Sequence, residues 1–338
     1  MRLAIAHHDA HTLDALKKIV ATLTGYDIIW IAADSADAVR KCQREKPELL
    51  LLDLALPILD GSRTISGIMK SCPCAILLLT DSVEANAAKV FEAMGRGALD
   101  AVRVSVEKPT GKLHGEADII KKLATIGKLI GKVETHGKAP FKVKTTNTEL
   151  LPPLVAIGAS TGGPKALSVI LAALPKVLGA AIIIVQHVDE QFSRGLTEWL
   201  NSQSGLKVVL AGAGERPKIN TVLVASTNDH LILGADLILR YTKEPQDYPY
   251  RPSVDVFFES LARHWPRRDM AVLLTGMGRD GASGLTALRK AGWHTIAQDE
   301  KTSVVYGMPA AAVEMGGAMD ILPLDRIAPA IMKRLGRK

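Results

Sequence analysis

Short, largely apolar runs recur through the first third of the chain, and between them apolar residues return every three or four positions. The runs cover residues 3–6, 28–32, 49–52, 75–79 and 98–104, and the periodic stretches cover 13–23, 36–45 and 85–94. A brief apolar run bounded by polar residues predicts a strand buried on both faces, and a 3.6-residue period predicts a helix with one covered face. Strands alternating with helices predict a parallel, doubly wound α/β sheet. Ligands of such a sheet meet the carboxyl ends of its strands. Asp53 and Thr80 fall at two of those ends.

The pattern changes after residue 106. Glu107 to Lys112 are polar and turn-forming, and residues 117–130 carry Ile119, Ile120, Leu123, Ile126, Leu129 and Ile130 at helical spacing. Residues 131–150 are basic, rich in Thr and without period, which predicts a linker. From residue 151 the alternation restarts. Strands are expected over 154–157, 181–186, 270–275 and 294–298, with helices over 166–174, 191–201, 254–264 and 282–291 and short ones over 309–313 and 323–335. Four shorter apolar runs, 208–210, 221–225, 231–233 and 237–241, are separated by Gly, Asn and Asp and predict a hairpin region inserted in the sheet. The expectation is two doubly wound parallel-sheet domains, 1–130 and 151–338, joined by a basic linker.

Composition narrows the function classes. Of 338 residues, 47% are hydrophobic and only 4% aromatic, enough for two aliphatic cores. No uncharged apolar stretch reaches the length of about 18 residues needed to span a membrane, so no direct membrane insertion is expected. Met1 to His11 form no charged leader followed by an apolar segment, and the cysteines are few and odd in number (Cys42, Cys72 and Cys74), which together predict a cytoplasmic location. The net charge of +7 raises nucleic acid as a partner. Much of that excess lies between Lys108 and Lys144, with no helix-turn-helix or zinc signature, so it reads as a solvated linker and no nucleic acid is expected.

The candidate chemistry starts at the glycine-rich turn Gly158-Ala159-Ser160-Thr161-Gly162-Gly163-Pro164, between a strand and a helix. A phosphate-binding loop would need Gly-Lys-Ser/Thr, but here Pro164-Lys165-Ala166 follows Gly163. A serine at a helix start can instead attack a carbonyl while nearby backbone N–H groups hold the oxyanion. His187 and Asp280 also follow predicted strands, so a hydroxyl, an imidazole and a carboxylate share one end of the sheet, the parts of a Ser-His-Asp triad. Asp280 has a simpler alternative, as N-cap of the helix that follows it.

Five segments together resemble the chemotaxis-type protein-glutamate methylesterases, the CheB-like response regulators. They are 158–164, Val185-Gln186-His187, Pro252-Ser253-Val254-Asp255, 274–282 (Leu-Thr-Gly-Met-Gly-Arg-Asp-Gly-Ala) and 302–309 (Thr-Ser-Val-Val-Tyr-Gly-Met-Pro). The resemblance implies a Rossmann-like methylesterase domain with Ser160, His187 and Asp280 as triad, the Met277 backbone N–H in the oxyanion hole and Thr161 beside it. It implies hydrolysis of glutamate γ-methyl esters on a methyl-accepting receptor, deamidation of glutamine by the same acyl chemistry, and no cofactor for either. The alternative is a response regulator acting by protein interaction alone on a spent esterase fold.

The N-terminal half resembles a response-regulator receiver domain, closer to the Wsp-type branch that serves a surface-sensing receptor pathway. Its motif is Asp53-Leu54-Ala55-Leu56-Pro57-Ile58-Leu59-Asp60-Gly61. The resemblance implies Asp53 as phosphoacceptor, Thr80 as switch hydroxyl, a histidine kinase as partner and restraint of the esterase by the receiver. Two positions depart from the pattern. His7 and His8 stand where the family has its Mg²⁺-binding acidic pair, with Asp9 one place late, and Val104 stands where it has a lysine. Imidazole is a poor Mg²⁺ ligand, so Asp9 and Asp53 are left as a weak Mg²⁺ site and Asp53 is expected to accept phosphate poorly.

Overall fold

In the computed structural model, residues 1–57, 61–107, 112–130, 151–246 and 248–336 are described. The linker expected over 131–150, the turn at 108–111 and Ile58, Leu59 and Asp60 of the Asp53 motif lie outside the described residues. The chain divides into two units, Met1–Val133 and Glu134–Lys338.

The first unit runs β1 (Arg2–Ala6), α1 (Ala10–Thr22), β2 (Asp27–Ala32), α2 (Ser35–Arg44), β3 (Leu49–Asp53), α3 (Gly61–Ser71), β4 (Ala75–Thr80), α4 (Val83–Gly95), β5 (Asp100–Arg103), β6 (Ser105–Glu107), β7 (Lys112–His114) and α5 (Glu116–Ile130). Its five-stranded sheet has the order β2-β1-β3-β4-β5, every neighbour parallel. The run Leu49-Leu50-Leu51-Leu52 is fully buried, as a central strand covered by helices on both faces requires. Helix α3 is absent from the hydrophobic pattern because its Gly- and Ser-rich sequence hides the pair Ile65 and Ile68, both fully buried. β6 and β7 pair as a small antiparallel hairpin outside the sheet.

The second unit runs β8 (Leu154–Ala159), α6 (Gly163–Ala173), β9 (Ala181–Gln186), α7 (Glu190–Gln203), β10 (Lys207–Leu210), β11 (Thr221–Val224), β12 (His230–Leu233), β13 (Leu239–Thr242), α8 (Val254–His264), β14 (Met270–Leu273), α9 (Ala282–Lys290), β15 (His294–Gln298), α10 (Met308–Glu314), β16 (Asp320–Leu322) and α11 (Leu324–Arg334). Seven strands form one parallel sheet in the order β10-β11-β9-β8-β14-β15-β16. The expected hairpin region is half corrected. β10 and β11 are parallel members of this sheet, and only β12 and β13 form an antiparallel hairpin beside it. Chain order winds one way from β8 and returns to β14 on its other side, so the direction reverses at β8, the place where open α/β sheets bind ligands.

Helix α8 locks onto this sheet. Val254, Phe257, Phe258 and Leu261 pack with Ile183, Val185 and Leu273 of the strands and Leu285 of α9. Burying Phe257 and Phe258 contributes about 2–3 kcal/mol each, so the axis of α8 and the position of its first turn are firmly held.

Candidate active site

Three neighbouring strands deliver the three expected residues. Ser160 follows the last residue of β8, and His187 follows the last residue of β9. The register pairs Ala159 with Gln186, and His187 N donates to Ala159 O at 3.0 Å. On the other side of β8, Leu274 N donates to Gly158 O, and the loop after β14 carries Asp280 back to the same end. The turn around Ser160 is held from both flanks. Ser160 N donates to Thr275 O, and Ser160 O accepts from Gly163 N at 2.8 Å and Gln186 Nε2 at 2.9 Å. Gly162 has φ 80°, which lets the chain reverse into α6 within two residues. Gly276 lies so close that a Cβ there would sit 2.7 Å from the Ser160 Cβ.

His187 and Asp280 are joined, Nε2 to Oδ2, at 2.6 Å, and their side chains are only 7% and 5% exposed. Asp280 does not cap the helix after it; Gly281 is the N-cap of α9 and makes no side-chain capping bond. Its carboxylate sits instead at the start of α8. Oδ1 accepts from Ser253 Oγ at 2.7 Å and Asp255 N at 3.0 Å, and Oδ2 accepts from Val254 N at 2.7 Å. A helix start offers unpaired N–H groups and the positive end of the helix dipole, so a buried anion is stable there. Burial alone would raise the Asp280 carboxyl, but the hydrogen bonds from His187, Asp255 N and Ser253 outweigh it and hold it below the usual Asp range. The neighbouring Asp255 moves the other way, pushed well up by burial and then by the Asp280 charge. The two carboxyls are thus shifted in opposite directions, Asp280 down and Asp255 up.

With Nε2 bound to Asp280, Nδ1 is the basic atom of His187. It is buried and has no hydrogen-bond partner among the described residues, so it is not bonded to Ser160 Oγ in this conformation. Nucleophile–base contacts often close only when substrate is present. Among the described residues the buried side-chain polar atoms without a partner are three: His187 Nδ1, Gln186 Oε1 and Thr161 Oγ1. All three belong to the turn of Ser160 or to the strand end beside it. Neither the Thr161 nor the Met277 backbone N–H donates to an acceptor among the described residues.

Hydrophobic periodicity gave no role to Tyr250 or Gln186. Tyr250 stacks on the His187 ring with centroids 4.1 Å apart and planes 11° from parallel, and its hydroxyl reaches Met277 O at 3.4 Å. It lies in an irregular segment with no periodicity to mark it. Gln186 reads in sequence as the polar end of a strand, yet it ties the Ser160 and His187 carbonyls together.

At the strand ends of the first unit, Asp53 and Thr80 are both buried. Asp53 Oδ1 accepts from Ala55 N at 2.8 Å, and Oδ2 pairs with His8 Nδ1 at 2.5 Å and lies 3.8 Å from His7 Nδ1. Thr80 Oγ1 donates to Ser82 O and accepts from Asn86 Nδ2. Asp9, expected to share a weak Mg²⁺ site with Asp53, uses its Oδ2 as N-cap of α1, accepting from Thr12 N and Thr12 Oγ1 at 2.7 Å each, and those bonds hold it below its ordinary value. His7 is lowered, first by burial, and so stays neutral near pH 7. The donors facing Asp53 are therefore two imidazoles, and Val104 is a buried apolar residue. One carboxylate with two imidazoles does not fit Mg²⁺, which takes oxygen ligands.

The CheB methylesterase family matches residues 155–331, and the response regulator receiver domain matches residues 3–112. A protein-glutamate methylesterase/protein-glutamine glutaminase from Cupriavidus metallidurans is 47% identical over 337 residues, covering 99% of both chains. One from Mesorhizobium japonicum is 45% identical over 347 residues, covering 100% of this chain and 99% of its own. The crystal structure of the CheB methylesterase catalytic domain from Thermotoga maritima is 36% identical, with a TM-score of 0.52, and covers 54% of this chain and 99% of that one. With both halves matched in this order, the chain belongs to the CheB methylesterase family, as a receiver domain followed by a methylesterase domain.

Proposed function

We propose that this chain hydrolyses glutamate γ-methyl esters on a methyl-accepting receptor protein and deamidates glutamine at equivalent positions, with Ser160 as nucleophile. The observation that carries the reading is the clustering of partnerless buried polar atoms around Ser160, opposite a His187–Asp280 pair whose carboxylate is fixed by the start of α8. Unsatisfied buried polar groups are rare in folded proteins, and a catalytic site is one of the places where they occur.

In the proposed reaction Ser160 Oγ attacks the ester carbonyl as His187 Nδ1 takes its proton. The oxyanion is held by the backbone N–H groups of Met277 and Thr161. Collapse of the tetrahedral adduct breaks the bond to the methoxy oxygen, which leaves as methanol with the proton from His187. Water then attacks the acyl-serine by the same route and releases glutamate. With glutamine the leaving group is ammonia, a harder departure. Asp280 stays ionised throughout and stabilises the imidazolium.

The test is methanol release from methylated receptor fragments. Ser160→Ala is expected to fold normally and to lose activity by orders of magnitude, since triad members act as a unit. If the variant keeps a tenth of wild-type turnover, Ser160 is not the nucleophile. A histidine kinase of the same pathway is the proposed partner of the receiver, which is proposed to restrain the esterase. A cytoplasmic location fits both roles, and among the described residues no helix is long and apolar enough to cross a membrane.

A further inference from the structure

We propose that the pocket at Asp53 is a binding site for a transition-metal dication of the Zn²⁺ class, ligated by Asp53, His7 and His8. The sequence places His7 and His8 in one loop and gives no distant ligand for them. The fold supplies it. β1 and β3 are neighbours in the sheet, and one donor atom from each of the three side chains lies within 4.8 Å of the other two.

The donors are oriented for this use. The bond from Ala55 N fixes Asp53 Oδ1, so Oδ2 is the oxygen turned toward the imidazoles. His7 Nδ1 accepts a hydrogen bond from Asp9 N, so that nitrogen carries a lone pair rather than a proton. An ion would take over that lone pair at the cost of one local contact. The two rings are stacked, 6° from parallel with centroids 5.4 Å apart, so one of them must turn for both nitrogens to meet a single ion. A tetrahedral ion with bonds of about 2.0–2.1 Å spaces its ligand atoms roughly 3.3 Å apart. The present separations from Asp53 Oδ2, 2.5 Å to His8 and 3.8 Å to His7, bracket that figure.

The surroundings agree. His7 and Asp53 are buried, while the His8 side chain is 50% exposed, which gives an entry path and room for water as fourth ligand. Among the described residues the ion-pair partners of Asp53 are these two histidines alone, and the place of a balancing lysine is taken by Val104. Two imidazole nitrogens and one carboxylate oxygen suit Zn²⁺, Co²⁺ or Ni²⁺ and disfavour Mg²⁺. An ion held on Oδ2 occupies the oxygen that would carry a phosphoryl group, so this receiver would answer to metal supply.

The test is titration of the full-length chain, free of any histidine tag, with Co²⁺ followed by its visible d–d bands, and then displacement by Zn²⁺. The expected result is one saturable Co²⁺ per chain, displaced by one Zn²⁺ and untouched by an excess of Mg²⁺. His8→Ala and Asp53→Asn should each weaken binding by at least about tenfold. His187→Ala in the other half should leave it unchanged. His8 is exposed and Asn at 53 retains an oxygen for Ala55 N, so both variants should keep the wild-type melting temperature. Absence of saturable submillimolar binding would overturn the proposal. So would binding that survives both receiver variants, or displacement of Co²⁺ by equimolar Mg²⁺.

Discussion

Two adjacent buried carboxyls in the esterase unit are shifted in opposite directions, and each shift rests on identifiable contacts. Asp280 is held below its ordinary value by His187, Ser253 and the first N–H groups of α8, whereas Asp255 is pushed up by burial and by the Asp280 charge. Substitution by the amide should therefore separate them. Asp280→Asn removes the charge that stabilises the imidazolium and presents the wrong partner to Nε2, and turnover should fall on the order of 10⁴-fold. Asp255→Asn keeps the size of the side chain and an oxygen for Gly284 N, which donates to Asp255 Oδ1 at 2.7 Å. Its turnover should stay within about tenfold of wild type. Equal losses in the two variants, measured as methanol release, would show that the site depends on the Asp255 carboxyl as much as on that of Asp280.

At the scale of elements, α8 is the piece on which the site is built. Its hydrophobic face fixes the axis, and its N-terminus receives Asp280. The β12–β13 hairpin sets the entry to that helix through His230, which is fully buried. His230 Nδ1 accepts from Ser253 N at 3.1 Å, and Nε2 donates to Pro245 O at 3.0 Å. Burial lowers the His230 pKa, so the folded protein binds this proton more weakly than the unfolded chain does. Stability from this residue is therefore complete above the unfolded value of about 6.5 and is lost as pH falls below it toward the folded value. Calorimetry of the esterase transition between pH 7 and 5 should show the midpoint falling, and His230→Gln, with no proton to gain, should flatten that slope. An unchanged slope would assign the acid sensitivity elsewhere.

At the scale of the whole molecule, a receiver and an esterase share one chain, and the receiver lacks the carboxylate and lysine partners of Asp53. Acetyl phosphate with Mg²⁺ should label Asp53 slowly or not at all, as followed by intact mass. Rapid, stoichiometric labelling would sink that reading. A switch acts only through a differential interaction with its two states, so a receiver that is hard to phosphorylate leaves the esterase in one state for most of the time. The expected state is the restrained one. Removing residues 1–145 should raise turnover on methylated receptor severalfold and change a small soluble ester less. Equal rates with and without the receiver would make it a docking module.

The two α/β sheets were legible in the apolar runs, because a central parallel strand must be apolar on both faces, as 49–52, 76–79 and 181–186 are. The positions of Ser160, His187 and Asp280 at strand ends were legible for the same reason. Helix α3 was not, since its apolar residues are sparse, and neither was the parallel pairing of β10 with β11, which depends on partners far apart in the chain. Sequence left Asp280 between two roles. The tertiary structure brought its carboxylate to the start of α8, 26 residues earlier, because helix packing and not adjacency decides which unpaired N–H groups an anion meets. It likewise stacked Tyr250 on His187 and brought Asp53 to His7 and His8. Local pattern determines which segments become strands and helices, but contacts between side chains on different strand ends exist only once the sheet is assembled.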